Sequence, residues 1–215
     1  MTELSLNEVE SLAAKVGRGG GFSWGLAEEI GRSARRLAQG GLPWAEALLA
    51  LAEKAEGMQA LSFAQAEQWR GSRMATRSKA RLCPVRAAAL LIDDPAILRA
   101  KPLHLASVGL PIWIVGMLAA STVADGFQIA WPGATALVGR REVVPEGSSD
   151  AWLAPAADVT IAPAAAPSTQ PSLLRRALAD DAILTALSSF AARIYVPASE
   201  SSRAKGAGGG NVDEE

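Results

Sequence analysis

An α+β architecture is what the sequence predicts: a helix-rich N-terminal lobe packed on a small, mostly antiparallel sheet, closed by a C-terminal helical pair. Three observations carry it. Apolar residues recur at helical spacing through the first sixty positions. Phe127, Ile129 and Trp131 alternate before a Pro132-Gly133 turn and a returning apolar stretch, which is a hairpin signature. Between Lys101 and Asp125 lies an uncharged run interrupted by Gly109 and Pro111, which divides into a buried strand and a buried helix.

Ser5 and Glu8 form a capping box ahead of a stripe at Leu6, Val9, Leu12, Ala13 and Val16, so a first helix is expected to end at Gly17. Ser23 caps a second helix, whose buried face is Leu26, Ile30, Ala34 and Leu37, and which ends at Gly40. Pro43 opens a third, carrying Leu48, Leu49 and Leu51 towards Gly57. A further helix is expected over 65–70, then short ones opened by Pro84 (87–92) and by Asp94-Pro95 (96–99). The sheet is expected from segments 103–108, 127–131, 134–138 and 159–162, with a helix running from Pro111 to Asp125-Gly126. Residues 145–171, rich in Ala, Pro and Ser, read as a meandering connection. The closing helical pair falls at 171–179 and 181–193, before an extended 194–196. This organisation makes one α+β domain over 1–200, with a helical lobe at 1–60 and a mixed lobe at 61–200, and a glycine-rich tail over 201–215.

Composition narrows the function. The 215 residues carry 21 Lys+Arg against 22 Asp+Glu, a net charge of -1, which is not the footprint of a nucleic-acid binder. Alanine supplies 44 residues, so the core must be closely packed. One cysteine, Cys83, and one histidine, His104, exclude a disulfide within the chain and any multi-thiolate or paired-histidine metal site. No metal and no cofactor are expected. The opening MTELSLNEVE has neither an apolar h-region nor an Arg-rich transit pattern, so a cytoplasmic location is expected. The uncharged run reaches about 20 residues, the length of a bilayer span, but the mid-run Pro111 and the polar residues around it argue against membrane insertion.

Several constellations compete as sites. Gly17-Arg18-Gly19-Gly20-Gly21 precedes a helix start and reads either as a glycine-rich turn or as an anion site at residues 20–23 assisted by Arg18. Arg70, Arg73, Arg77 and Arg81 would share one face if helical and could grip nucleic-acid phosphates, an acidic protein partner or a carboxylate substrate; the plainer reading is a solvated charged face, and no aromatic interleaving or motif supports nucleic acid. Six tryptophans point mostly to packing. Should the protein be an enzyme, metal-independent acid–base chemistry would fall to Glu8, Glu28 or His104. Cys83 before Pro84 reads as a small hydrophobe, and His104 in its apolar run as a hydrogen-bonded core residue.

The start SLNEVESLAAKVGRGGGFSWGLAEEIG and the end YVPASESSRAKGAGGGNVDEE together resemble a bacterial family of uncharacterised proteins, the domain of unknown function 3726 family. Asn7-Glu8, the loop at 18–21, Trp24-Gly25-Leu26-Ala27-Glu28-Glu29, Pro197-Ala198-Ser199 and Ser202-Arg203 before Gly206-Ala207-Gly208 carry that resemblance. It implies that the glycine-rich end is a patterned element. Ser199, Ser202 and Arg203 beside glycines then supply what an anion cradle needs, with Arg18, Gly20 and Gly21 as the opposite wall. The expected function is binding of a small anionic metabolite; the alternative is a non-catalytic subunit or accessory protein of a bacterial enzyme complex.

Overall fold

The N-terminal helices form as their caps dictate. In the structure, a computed structural model describing residues 1–55, 73–74, 81–123, 126–139, 142–167 and 174–195, strand β1 (Thr2–Ser5) leads into helix α1 (Leu6–Gly19). The Ser5 hydroxyl accepts from the Glu8 N–H at 3.3 Å, and the Glu8 carboxylate accepts from the Ser5 N–H at 2.7 Å. Helix α1 runs past Gly17 because that residue is buried against Ile30 of helix α2 (Trp24–Gln39), where a Cβ would come within 3.0 Å of Ile30 Cδ1. Helix α3 (Trp44–Lys54) completes the group.

The uncharged run divides as expected. Strand β3 (Leu103–Gly109) is followed by helix α6 (Ile112–Ala120), of which Ile112 to Ala119 are all buried. Helix α6 is apolar all round because it is a middle layer, with α2 on one side and the sheet on the other. Gly116 lets α2 approach closely: a Cβ there would lie 3.0 Å from Leu37 Cγ and 3.2 Å from Ser33 Cβ. The helix stops at Ser121, earlier than the expected Asp125-Gly126, because the Ser121 hydroxyl donates to the Leu118 carbonyl at 2.7 Å and accepts from the Val123 N–H. Gly126 instead opens a strand, and Asp125 lies outside the described residues. Helices α4 (Pro84–Asp93) and α5 (Pro95–Ala100), each with proline in its first turn, precede β3, and α4 packs beside α6. Among the described residues no helix is long and apolar enough to cross a membrane.

The main sheet has the order β2-β3-β7-β4-β5-β6, built from β2 (Arg73–Met74), β4 (Gly126–Trp131), β5 (Ala134–Gly139), β6 (Glu142–Gly147) and β7 (Ala156–Ala164) with β3. All pairings are antiparallel except β2 with β3. Phe127 pairs with Val138 and Trp131 with Ala134, the expected hairpin register. In β3, Leu103 and Leu105 point inward at period two, and a bulge then restores Val108 to the same side. The extra residue there, Ser107, takes φ 52°, and its N–H is held by Asp158 Oδ1 at 2.8 Å.

Three expectations are corrected. Residues 145–171 hold more than the one short strand expected at 159–162: that strand is present but longer, as the nine residues of β7, and the end of β6 and helix α7 (Ser149–Trp152) precede it. Trp152 meets Trp131 edge to face at 5.0 Å, and the Trp131 indole donates to the Ala151 carbonyl at 2.8 Å, which fixes α7 on the hairpin. The expected helix over 171–179 is, where described, strand β8 (Arg176–Ala179), antiparallel to β1 with Thr2 opposite Ala179. Ala177 and Ala179 are buried where β8 lies against α1 and α2, and tertiary contact overrides local helix propensity. Helix α8 (Asp181–Ala192) forms as expected, capped by Asp180, but Ile194 lies in a turn and not in an extended segment, while Val196 lies outside the described residues. The helix expected at 65–70 and the 201–215 tail also lie outside them.

Candidate functional site

Helix α1 ends in a turn that closes on itself. The Gly20 N–H donates to the Val16 carbonyl at 2.8 Å, Gly21 to Arg18 at 3.1 Å and Phe22 to Gly17 at 3.1 Å. Gly21 sits at φ 94°, a conformation open to glycine. Helix α2 ends identically: Gly40, Gly41 and Leu42 donate to the carbonyls of Arg36, Ala38 and Leu37, with Gly41 at φ 71°. The paired glycines are therefore helix stops, and their N–H groups are consumed by the helix they end. A main-chain phosphate cradle at Gly20 and Gly21 is not formed by those donors.

What distinguishes the first turn is its surroundings. Helix α8 packs across the end of α1 so closely that a Cβ on Gly19 would overlap the Phe190 carbonyl oxygen. A cavity of about 360 Å³ opens there. Gly20, Gly21 and Phe22 form one wall, Ala52 and Ala55 at the end of α3 another, and Arg86 of α4 and Arg193 after α8 supply the charge. Arg193 lies over the Phe190 ring at 4.0 Å and Arg86 over the Phe22 ring at 6.0 Å. Among the described residues neither guanidinium has a carboxylate or carbonyl partner. Arg86 also stands in the first turn of α4, where no acid is present and where the helix dipole makes a cation unfavourable. The ends of α1, α3 and α8 at the cavity are helix C-termini of negative sign, so the positive charge there comes from the two guanidiniums.

The expected site residues divide. Gly20 and Gly21 line the cavity, but Arg18 does not. Its guanidinium donates to the Phe22 carbonyl at 2.9 Å and lies 5.1 Å from the ring of Trp24, so it clasps the turn from outside. Ser199, Ser202 and Arg203 lie outside the described residues, as do Arg70, Arg77 and Trp69. The arginine ridge is not a helix at Arg73, which belongs to β2, nor at Arg81, whose Nη1 donates to the Pro155 carbonyl at 3.3 Å. Trp44, Trp113, Trp131 and Trp152 are core residues, whereas Trp24 is 62% exposed.

Glu8 is committed to its cap. The hydrogen bond from the Ser5 N–H holds its carboxyl below the usual glutamate range, opposite to what a proton donor at neutral pH requires. A depressed carboxylate stabilises the fold above its unfolded pKa, and that contribution is lost as pH falls through the folded value. Glu8→Gln, which keeps the capping hydrogen bond but cannot titrate, is expected to flatten the acid limb of a urea-midpoint profile below about pH 4. An unchanged acid limb would show that the cap does not couple to titration. Glu28 is exposed and lies 3.9 Å from Arg32. It borders a groove where Arg32 also pairs with Glu29 at 2.6 Å, and Arg35 with Glu10 at 3.0 Å and Asn7 at 2.6 Å. His104 is not a core residue: it is exposed on β3, its Nδ1 3.1 Å from Thr160 Oγ1 on the neighbouring strand. Cys83 is buried, and burial pushes its thiol up, against the opposing pull of amides in α4 and of Arg86. Among the described residues no group of His, Cys, Asp and Glu could hold a metal ion.

Residues 4–81 match the model of DUF3726, a protein of unknown function. The DUF3726 match takes in α1 to α3, hence Gly20, Gly21 and Arg18, while Arg86 and Arg193 lie beyond it. The resemblance read from the N-terminal motifs is thus borne out over that span. No curated protein and no solved structure matches the chain at a significant level.

Arg86 and Arg193 escape a motif search because they are neighbours only in space. A usable signal exists nonetheless. Each is the lone cation of its helical segment, PVRAAALLID and DAILTALSSFAAR, and lies at the end away from that segment's only acid, Asp93 or Asp181; a charge so isolated at the edge of the core needs a purpose.

Proposed function

We propose that the protein binds a small anionic metabolite in the cavity between the α1 turn, α3, α4 and the end of α8. The observation that carries this reading is the pair of guanidiniums, Arg86 and Arg193, which share one cavity with no acidic lining residue among those described. Planar guanidinium forks suit carboxylate and phosphate oxygens, and the contact of Arg193 with the Phe190 ring at 4.0 Å restricts its orientation in advance. The anion is bound by the arginine side chains, and Gly20 and Gly21 end the helix beside them.

Ligand binding to the native state raises stability by mass action, by about 2.7 kcal/mol at a hundredfold excess over Kd. A thermal-shift series with inorganic phosphate and small carboxylates is therefore expected to raise Tm. Arg86→Gln and Arg193→Gln should each weaken binding roughly ten- to hundredfold, the value of a charged hydrogen-bonded contact. Both residues are exposed, and circular dichroism should show the variants folded. Failure of every anion to shift Tm, or an undiminished response in both variants, would overturn the reading.

A further inference from the structure

We infer that strand β8 pairs edge to edge with β8 of a second copy of this chain, about a two-fold axis through Leu178. A two-stranded ribbon leaves a row of main-chain N–H and C=O groups along each outer side, and such a row is a template for a further strand. The ribbon β1-β8 is a sheet of its own, so among the described residues no strand lies on the far side of β8. The outer strands of the main sheet are poor templates: β6 carries Pro145 between Glu142 and Glu146, and β2 is two residues long. Strand β8 reads Arg-Ala-Leu-Ala, and its one charge is already answered by Glu3 of β1 at 2.7 Å. Leu178 is 61% exposed, and the pairing covers it.

The register identifies the occupant. Ala177 and Ala179 are buried against α1 and α2, whereas Arg176, Leu178 and Asp180 lie on the solvent side. A strand that keeps its own alanines over a helical layer must pair solvent-side residues with solvent-side residues. Centred on Leu178, an antiparallel match of β8 with itself sets Leu178 against Leu178, Ala177 against Ala179 and Arg176 against Asp180 of the second copy, the last two contacts occurring twice by symmetry. Asp180 is extended, at φ -67° and ψ 139°, and so continues the strand. The amides of Ala182 and Ile183 both donate to Asp180 Oδ1, which leaves Oδ2 for the guanidinium. Arg176 meets Glu3 through Nε, which leaves its terminal nitrogens for Asp180. Centring one residue earlier would set Arg176 against Leu178 and pair no opposite charges. The edge is thus complementary to itself in one register, as an isologous dimer requires.

Sedimentation equilibrium of the full chain across the micromolar range is expected to give twice the chain mass. Cysteine variants test the axis. Residue 178 faces its own counterpart at the Cα separation of about 4.5–5.5 Å that paired antiparallel residues have, which a disulfide can bridge. Residue 176 lies about 14 Å from its counterpart, at ~3.4 Å per residue, which a disulfide cannot. Leu178→Cys is therefore expected to cross-link two copies under mild oxidation and Arg176→Cys is not, while the native Cys83 is buried. Leu178→Lys, which sets two ammonium groups together on the axis, should weaken dimerisation at least tenfold with an unchanged circular dichroism spectrum. A monomer throughout the concentration range would overturn the pairing and leave the edge to a strand of another protein. A dimer unmoved by Leu178→Lys, or equal cross-linking of both cysteine variants, would place the contact elsewhere and overturn it as well.

Discussion

Trp113→Ala is expected to lower the free energy of unfolding by about 3–5 kcal/mol. Trp113 is the largest fully buried side chain, and it sits in the helix that is covered on both sides. Its removal opens a cavity where α2, α4 and the sheet cannot all close in, since each also packs on other elements. The indole has a polar task as well: Nε1 donates to the Ala47 carbonyl at 3.2 Å, tying α6 to the middle of α3. Trp113→Phe separates the two contributions. It keeps most of the volume and loses the hydrogen bond, and should cost about 1–2 kcal/mol. Urea unfolding of both variants measures this. A cost under 1 kcal/mol for the alanine variant would mean that α6 is not the middle layer.

The same helix shows why part of the fold was legible. Nine residues without a charge, opened by Pro111 and preceded by a strand-like run, have few stable placements other than a buried helix. Caps at Ser5 and Ser23 and the Pro132-Gly133 turn are equally local signals, so α1, α2 and the hairpin follow from short stretches of sequence. Strands β1 and β8 are different. Each is four residues long, and Thr2 finds Ala179 across nearly the whole chain. No period or turn announces such a pairing, and Arg-Ala-Leu-Ala by itself favours a helix. Strand β7 is legible only at its centre: Val159 and Ile161 alternate into the core, while the alanines and Pro163 at its two ends carry the composition of a connection and hide its full length.

The site was half legible on the same grounds. Gly20 and Gly21 stand out in sequence because a helix stop is a local event. Arg18 stands out as well, but a four-residue reach to the Phe22 carbonyl occupies it before any ligand can. Arg86 and Arg193 become partners only when α8 lies across α1 and α4 comes in beside α2. Pairing of this kind is a property of packing, and no spacing rule reports it.

Gly19→Val carries that dependence to an experiment on both stability and site. A side chain at residue 19 must push the last turn of α8 away, because the atom it meets is the Phe190 main-chain oxygen and not a flexible side-chain end. Overpacking against backbone is expected to cost about 3 kcal/mol. Arg193 follows Phe190 by less than one helical turn, so the displacement also carries its guanidinium away from Arg86. Anion affinity should fall at least tenfold in protein that is still folded at low temperature. Gly21→Ala provides the contrast. Residue 21 has open space around it and a φ of 94°, so the substitution strains the turn, by about 1–2 kcal/mol, without touching α8. The alanine variant should lose stability and keep most of its anion affinity, whereas the valine variant should lose both. Equal loss of affinity in the two would place the anion on the turn itself; retention in both would detach Arg193 from the site. Only the split result fits a cavity whose charge is positioned by the packing of α8 on α1.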